Sequence, residues 1–250
     1  MNKIQFLISF IAIIPLFALI AIPLIKKDQQ FISKFTMSLA LIMLFNILNL
    51  SYNYDGNLNS ISFLKISNNF DLGLSITNIS LIIAAIVTFI WFIITFYSNK
   101  NFIFNNDKRF FNFQIFSISL ILLITLIIFS KNLASLILFY QLLIILLYFF
   151  NNYFAGHKEF AASNNFSLVS LTSSFFMLIA IFATYKIAGN IEFANNGILN
   201  NVSSKKQLAL LLVFILAICP IALFPVYIFY KKLHILNSPM IIMSFIISYG

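Results

Sequence analysis

The sequence predicts an all-α fold: a polytopic transmembrane helical bundle with seven complete spans and the start of an eighth. Three observations carry this expectation. Hydrophobic residues make up 62% of the 250-residue chain. Charged residues make up only 8%. The apolar residues lie in long runs, and the charges fall between those runs. A soluble domain is about 45–50% apolar and about 25% charged. Folding in water would leave too much of this apolar surface exposed. A bilayer accepts it, at about 20 apolar residues per crossing.

The first run is Ile4 to Ile25, closed by Lys26-Lys27. A secretory signal would have a shorter apolar region of about 7–15 residues and a small-residue cleavage site. The run is therefore read as a span, and Pro15 is tolerable inside it. Phe35 to Leu50 follows as a shorter run, then a polar stretch from Ser51 to about Asp71. The third run is Leu74 to Phe96, with Trp91, Phe96 and Tyr97 placed as interface anchors. A polar, basic connection covers Asn99 to Arg109. Runs four and five, Phe111 to Phe129 and Leu133 to Phe150, are separated only by Ser130-Lys131-Asn132. Phe166 to Ile187 and Leu208 to Phe229 are the sixth and seventh runs. Pro239 opens an eighth, which is incomplete at Gly250. The expected organisation is one transmembrane domain over 1–250. Residues 1–70 hold two amino-terminal spans.

The net charge of +9 raises nucleic-acid binding as a possibility. The basic residues are scattered in ones, twos and threes at the ends of apolar runs, which is the ordinary flanking of membrane spans. The expected partner is the lipid bilayer, with no nucleic acid. Connections after runs one, three, five and seven carry nine Lys and Arg, against six on the other side. That bias puts the amino terminus outside. The single cysteine, Cys219, rules out an internal disulfide and any multi-cysteine metal site. No glycine-rich phosphate loop, HExxH or paired histidines within a span are present. No cofactor and no metal are expected.

All six acidic residues, both histidines and all 15 basic residues lie in connections or at run edges. Ionisable groups inside a membrane are costly and usually mark ion or proton paths. What remains at mid-depth is neutral. Gln141 lies in the middle of run five, either as a polar site on a hydrophilic path or as a hydrogen-bonding contact between helices. Pro220, next to Cys219, and Pro225 interrupt run seven. Proline removes a backbone donor and disturbs the preceding turn. Broken helices of this kind occur at transporter sites, but structural prolines are common as well. Ser170, Thr172, Ser173 and Ser174 form a small polar cluster read as helix packing.

The order of motifs resembles a known family. Phe96-Tyr97-Ser98-Asn99-Lys100-Asn101-Phe102 follows a span that begins near Asp71-Leu72-Gly73-Leu74-Ser75. Asn132-Leu133-Ala134-Ser135-Leu136 leads to Phe139-Tyr140-Gln141-Leu142-Leu143 and Tyr148. Ala188-Gly189-Asn190-Ile191-Glu192-Phe193 comes after run six, and Phe224-Pro225 and Asn237-Ser238-Pro239 close the series. Together they resemble the antiporter-like, proton-conducting membrane subunits of NADH:quinone oxidoreductase (complex I) and of Mrp-type cation/proton antiporters. The resemblance covers roughly residues 70–245, so that 71–250 would be the front half of such a core. It implies a fifth-span Glu on the proton path, where this chain has Gln141. It also implies a seventh-span Lys, where counting back from Pro225 gives Pro220. Gln does not titrate near neutral pH, and Pro cannot carry charge.

These readings give a membrane subunit similar to the proton-translocating ones, with proton conduction of its own impaired or absent. At most it is a non-catalytic subunit of a proton-pumping oxidoreductase, with the other membrane subunits of a complex I-like or Mrp-like assembly as partners. A structural or truncated version of such a subunit is the alternative. An unrelated small membrane transporter or lipid-modifying enzyme is a further one; its surface chemistry would have to come from His157-Lys158-Glu159. A bacterial inner membrane is favoured over a mitochondrial one.

Overall fold

The computed structural model describes residues 3–25, 29–56, 59–67, 70–104, 108–154, 160–193, 198–199 and 202–222. These residues are mostly helical. In chain order they form α1 (Lys3–Leu24), α2 (Gln29–Tyr52), β1 (Asn59–Ser67), β2 (Phe70–Ile76), α3 (Asn78–Phe104), α4 (Phe110–Ile128), α5 (Leu133–Phe154), α6 (Phe160–Ala188) and α7 (Ser204–Ala222). Six described helices are long and apolar enough to cross a membrane: Phe6–Leu24, Gln29–Tyr52, Asn78–Lys100, Phe110–Ile128, Leu133–Phe154 and Ser170–Ala188. Run seven is helical from Ser204 to Ala222. The rest of that run, Pro225 and the eighth run lie outside the described residues, as does His157-Lys158-Glu159.

The all-α expectation misses one element. β1 and β2 pair as a two-stranded sheet between α2 and α3. Only Asn68 and Asn69 separate the strands in sequence, a connection short enough only for antiparallel pairing. Phe70-Asp71-Leu72-Gly73-Leu74-Ser75-Ile76 alternates apolar with polar or small residues, the period of a strand. Its last three residues, Leu74 to Ile76, read in the sequence as the start of run three. The third helix instead begins at Asn78, behind a reciprocal cap. The Thr77 N–H donates to Ser80 Oγ at 2.9 Å, and the Ser80 N–H donates to Thr77 Oγ1 at 3.1 Å. α5 starts the same way, with the Asn132 N–H donating to Ser135 Oγ and the Ser135 N–H to Asn132 Oδ1.

The chain divides into two compact units. The first holds α1 to α4. There α1 packs on α2 and α4, α2 packs on α3, and α3 packs on α4. α2 extends beyond the run Phe35 to Leu50 at both ends, and its polar residues Ser33 and Thr36 are buried. α3 likewise continues to Phe104, through what the sequence suggested was a loop from Asn99. Trp91, expected as an interface anchor, is buried and donates from Nε1 to Ser117 Oγ at 2.9 Å. Phe96 and Tyr97 are exposed.

The second unit holds the tip of the β-hairpin and the chain from Ser130 onward. α5 packs on α6, and α6 on α7. α6 ends on Gly189, whose φ of +69° lies in the left-handed region that glycine enters without steric cost. Its N–H bonds to the Tyr185 carbonyl at 2.9 Å, closing the helix.

Candidate functional site

Within the second unit, three helices meet through neutral polar groups. Ser173 on α6 is fully buried, and its hydroxyl donates to the Ala217 carbonyl on α7. Tyr140 Oη on α5 lies 3.2 Å from Ser173 Oγ. A serine hydroxyl has a single hydrogen, and Ser173 commits it to Ala217, so Tyr140 is the donor of this contact. The half-buried Gln141 reaches from α5 to the Ser174 carbonyl on α6, with Nε2 at 3.4 Å. Ser174 Oγ in turn donates to the Leu171 carbonyl at 2.8 Å.

The adjacent serines Ser173 and Ser174 thus take the contacts of Tyr140 and Gln141 from α5, and Ser173 reaches α7 at Ala217. α7 runs through Pro220, and Ala217 lies three residues before it. That is the turn whose backbone bonding a proline weakens. Neighbouring Ser side chains commonly bond to backbone carbonyls in membrane helices, and Ser173 bonds to the Ala217 carbonyl in this turn. The donor sequence Tyr140→Ser173→Ala217 ends on a carbonyl, and no member carries a charge. Of the cluster read from sequence as packing, Ser173 and Ser174 make the contacts of this junction.

A second buried network was not legible in the sequence. Asn99 on α3 and Gln114 on α4 are each only 1% exposed. Gln114 Nε2 donates to Asn99 Oδ1 at 2.5 Å. Asn99 Nδ2 donates to the Ser33 carbonyl at 3.1 Å and to Thr36 Oγ1 at 3.3 Å on α2. The signal was hidden because Asn99 stands at the polar end of an apolar run and Gln114 near the start of the next.

Outside the spans, the second unit brings three charged side chains together. Lys131 Nζ lies 2.5 Å from Asp71 Oδ2 and 3.5 Å from Glu192 Oε1. The hydrogen bond that it donates to Asp71 chiefly holds the Lys131 ammonium above the ordinary lysine pKa of 10.5, against a smaller opposing effect of burial and with added attraction from Asp71 and Glu192. Asn132 Nδ2 donates to the Asp71 carbonyl and to Asp71 Oδ1 at 2.5 and 2.8 Å. Backbone bonds reinforce the cluster. The Lys131 N–H bonds to Gly73, the Leu133 N–H to Ile191, and Asn132 pairs antiparallel with Glu192. The motif residues Asp71, Asn132 and Glu192, far apart in sequence, thus meet at one point. Among the described residues no group of three His, Cys, Asp or Glu side chains is placed to hold a metal ion.

Residues 130–248 match the family described as NADH:quinone oxidoreductase/Mrp antiporter, TM. The matched segment starts where the long part of the second unit starts. No curated protein matches the chain in sequence. Solved structures share the fold over nearly the whole chain. A chain of the membrane-bound sulfane sulfur reductase (MBS), an archaeal respiratory membrane complex, aligns with a TM-score of 0.73 at 17% identity. The alignment covers 94% of this protein and 49% of that chain. A chain of the Mrp complex from Dietzia sp. DQ12-45-1b aligns with a TM-score of 0.76 at 12% identity, covering 96% of this protein and 26% of that chain. The protein therefore spans about half of one similar chain and about a quarter of the other. Its apolar helices make it an integral membrane protein, and its residues 130–248 are similar to the antiporter-like membrane subunits of the NADH:quinone oxidoreductase/Mrp type.

Proposed function

We propose that this protein is a membrane subunit of an Mrp-like or respiratory-complex-like assembly in a prokaryotic membrane, and that it does not carry protons by itself. The observation that supports this reading is the neutral junction of α5, α6 and α7. Tyr140, Gln141, Ser173 and the Ala217 carbonyl form it, at the place where the family resemblance implies a Glu and a Lys. Passing protons through a membrane calls for side chains that accept and release them at working pH. An amide and a carbonyl do not titrate there. The hydroxyl of Ser173 is committed to a backbone carbonyl, which suits holding helices together.

The test is reconstitution of the full chain into vesicles with an interior pH dye and an imposed potential. The expected result is acidification no faster than in empty vesicles. Proton flux above that background, abolished by Gln141→Leu, would overturn the proposal. The role in an assembly is tested separately by affinity purification from its own membrane. Recovery with other antiporter-like or oxidoreductase membrane subunits is the expected outcome. Recovery as a lone, monodisperse protein counts against it.

A further inference from the structure

The first unit has a lateral groove of about 420 Å³ between α2 and α3, lined by Ser33, Met37, Phe96, Asn99, Lys100 and Ile103. The α3 residues fall at spacings of three, four and seven, so they form one stripe along the helix. On α2, Met37 shares a face with Ser33 and with Lys34, which is exposed. The groove is therefore walled on its apolar side by Met37, Phe96 and Ile103, with Lys100 on its lining and Lys34 beside it on α2. Lys100 Nζ sits 4.4 Å from the centroid of the Phe96 ring, with its ammonium at the groove's edge. The floor is closed, because the Asn99 amide is already bonded to Ser33, Thr36 and Gln114.

Charge identifies the occupant. The two connections that flank this end of α2 and α3 contain, with Lys34 and Lys100, the basic residues Lys26, Lys27, Lys108 and Arg109, against Asp28 and Asp107. A long apolar slot in a membrane-spanning surface accepts an acyl chain. A basic rim at its mouth selects an anionic headgroup, as juxtamembrane lysines do at acidic leaflets. We propose that this groove is a binding site for an anionic phospholipid, one acyl chain lying along Met37, Phe96 and Ile103 and the headgroup phosphate set on Lys34 and Lys100. The site belongs to the first unit and is independent of the neutral junction on α5 to α7.

The full chain, purified in detergent and exchanged against micelles containing equal amounts of phosphatidylglycerol and phosphatidylcholine, tests this by native mass spectrometry of the lipid retained. Phosphatidylglycerol is expected to be retained in clear preference. Each lysine near an anionic surface contributes about five-fold in affinity, so Lys34→Gln with Lys100→Gln should reduce that preference roughly twenty-fold. Lys186→Gln, an exposed lysine on α6 outside the groove, should leave it unchanged. Met37→Trp, which fills the slot, should reduce retention of phosphatidylglycerol while the chain stays monodisperse. Equal retention of the two lipids by the unmodified protein overturns the proposal. So does a preference that survives the paired lysine change, or one that falls equally with Lys186→Gln.

Discussion

Lys131 and Asp71 stand 60 residues apart in sequence, yet the ammonium and the carboxylate meet at 2.5 Å. Lys131 lies in the four-residue connection between α4 and α5, and Asp71 in β2. Glu192 Oε1 lies 3.5 Å from the same ammonium. The side chains of Lys131 and Asp71 are 21% and 13% exposed. The pair is therefore drier than a surface ion pair, which contributes about 0–1 kcal/mol, and wetter than a fully buried one, whose disruption costs about 3–5 kcal/mol.

Lys131→Met should lower stability by about 1–2 kcal/mol, between those limits. Asp71→Asn should cost a similar amount, because Asn132 also loses a charged acceptor. Thermal unfolding in a fixed detergent, followed by tryptophan fluorescence and light scattering, measures both. A midpoint unchanged within error in both variants would show that the cluster is not a clasp.

The sign of the alkaline dependence follows from the raised Lys131 pKa. A lysine that binds its proton more tightly in the folded state contributes stability fully below the unfolded value near 10.5. That contribution is lost as pH rises through the higher folded value. Stability measured across alkaline pH should therefore fall, and Lys131→Met should flatten the part of the fall that belongs to this residue. Parallel curves for the two proteins would contradict the linkage.

The Asn99–Gln114 pair predicts non-additivity. Asn99→Leu leaves the buried Gln114 amide without its acceptor, and Gln114→Leu leaves Asn99 Oδ1 without its donor. An unsatisfied buried polar group costs about 1–3 kcal/mol. The double variant removes both groups together and should cost less than the sum of the two single changes. A double-mutant cycle in detergent unfolding should give a coupling of about 0.6–1.7 kcal/mol, the range for hydrogen bonds between membrane helices. Additive losses would mean the contact contributes nothing.

Ser173→Ala removes two contacts at once, to Tyr140 and to the Ala217 carbonyl. It should destabilise the α5–α6–α7 junction by about 1 kcal/mol and leave vesicle proton flux at background. Gln141→Glu puts a carboxylate in mid-span, where a charge costs about 2.5–3.5 kcal/mol. Lower yield and a lower unfolding midpoint are expected. A Ser173→Ala variant that changed flux would move Ser173 from packing to transport.

The sequence displayed the spans because the bilayer imposes a length and a composition that can be read from residue order alone. It also displayed Gln141, because a polar residue in the middle of an apolar run has no local explanation. Other features were hidden at the run ends. There the same polar residues serve a loop, a buried helix turn or a cap, and only the neighbouring helix distinguishes them. Asn99 reads as the start of a basic connection, yet α2 and α4 bury it completely. The β2 strand was disguised by its continuity with an apolar run. Its alternation is visible once Asn78, behind the Thr77–Ser80 cap, is recognised as the helix start.

By itself the sequence determined that this chain lives in a membrane, that it holds several segments apolar enough to cross it, and that the middles of those segments carry no charge. These properties depend on the solvent, and composition records the solvent. The tertiary structure decided which neutral groups meet: Tyr140 with Ser173, Ser173 with the turn before Pro220, Asn99 with Gln114, and Asp71 with Lys131. Those pairings join residues tens of positions apart. They depend on the direction and register of one helix against another, which hydrogen-bond geometry and packing fix and local sequence does not encode.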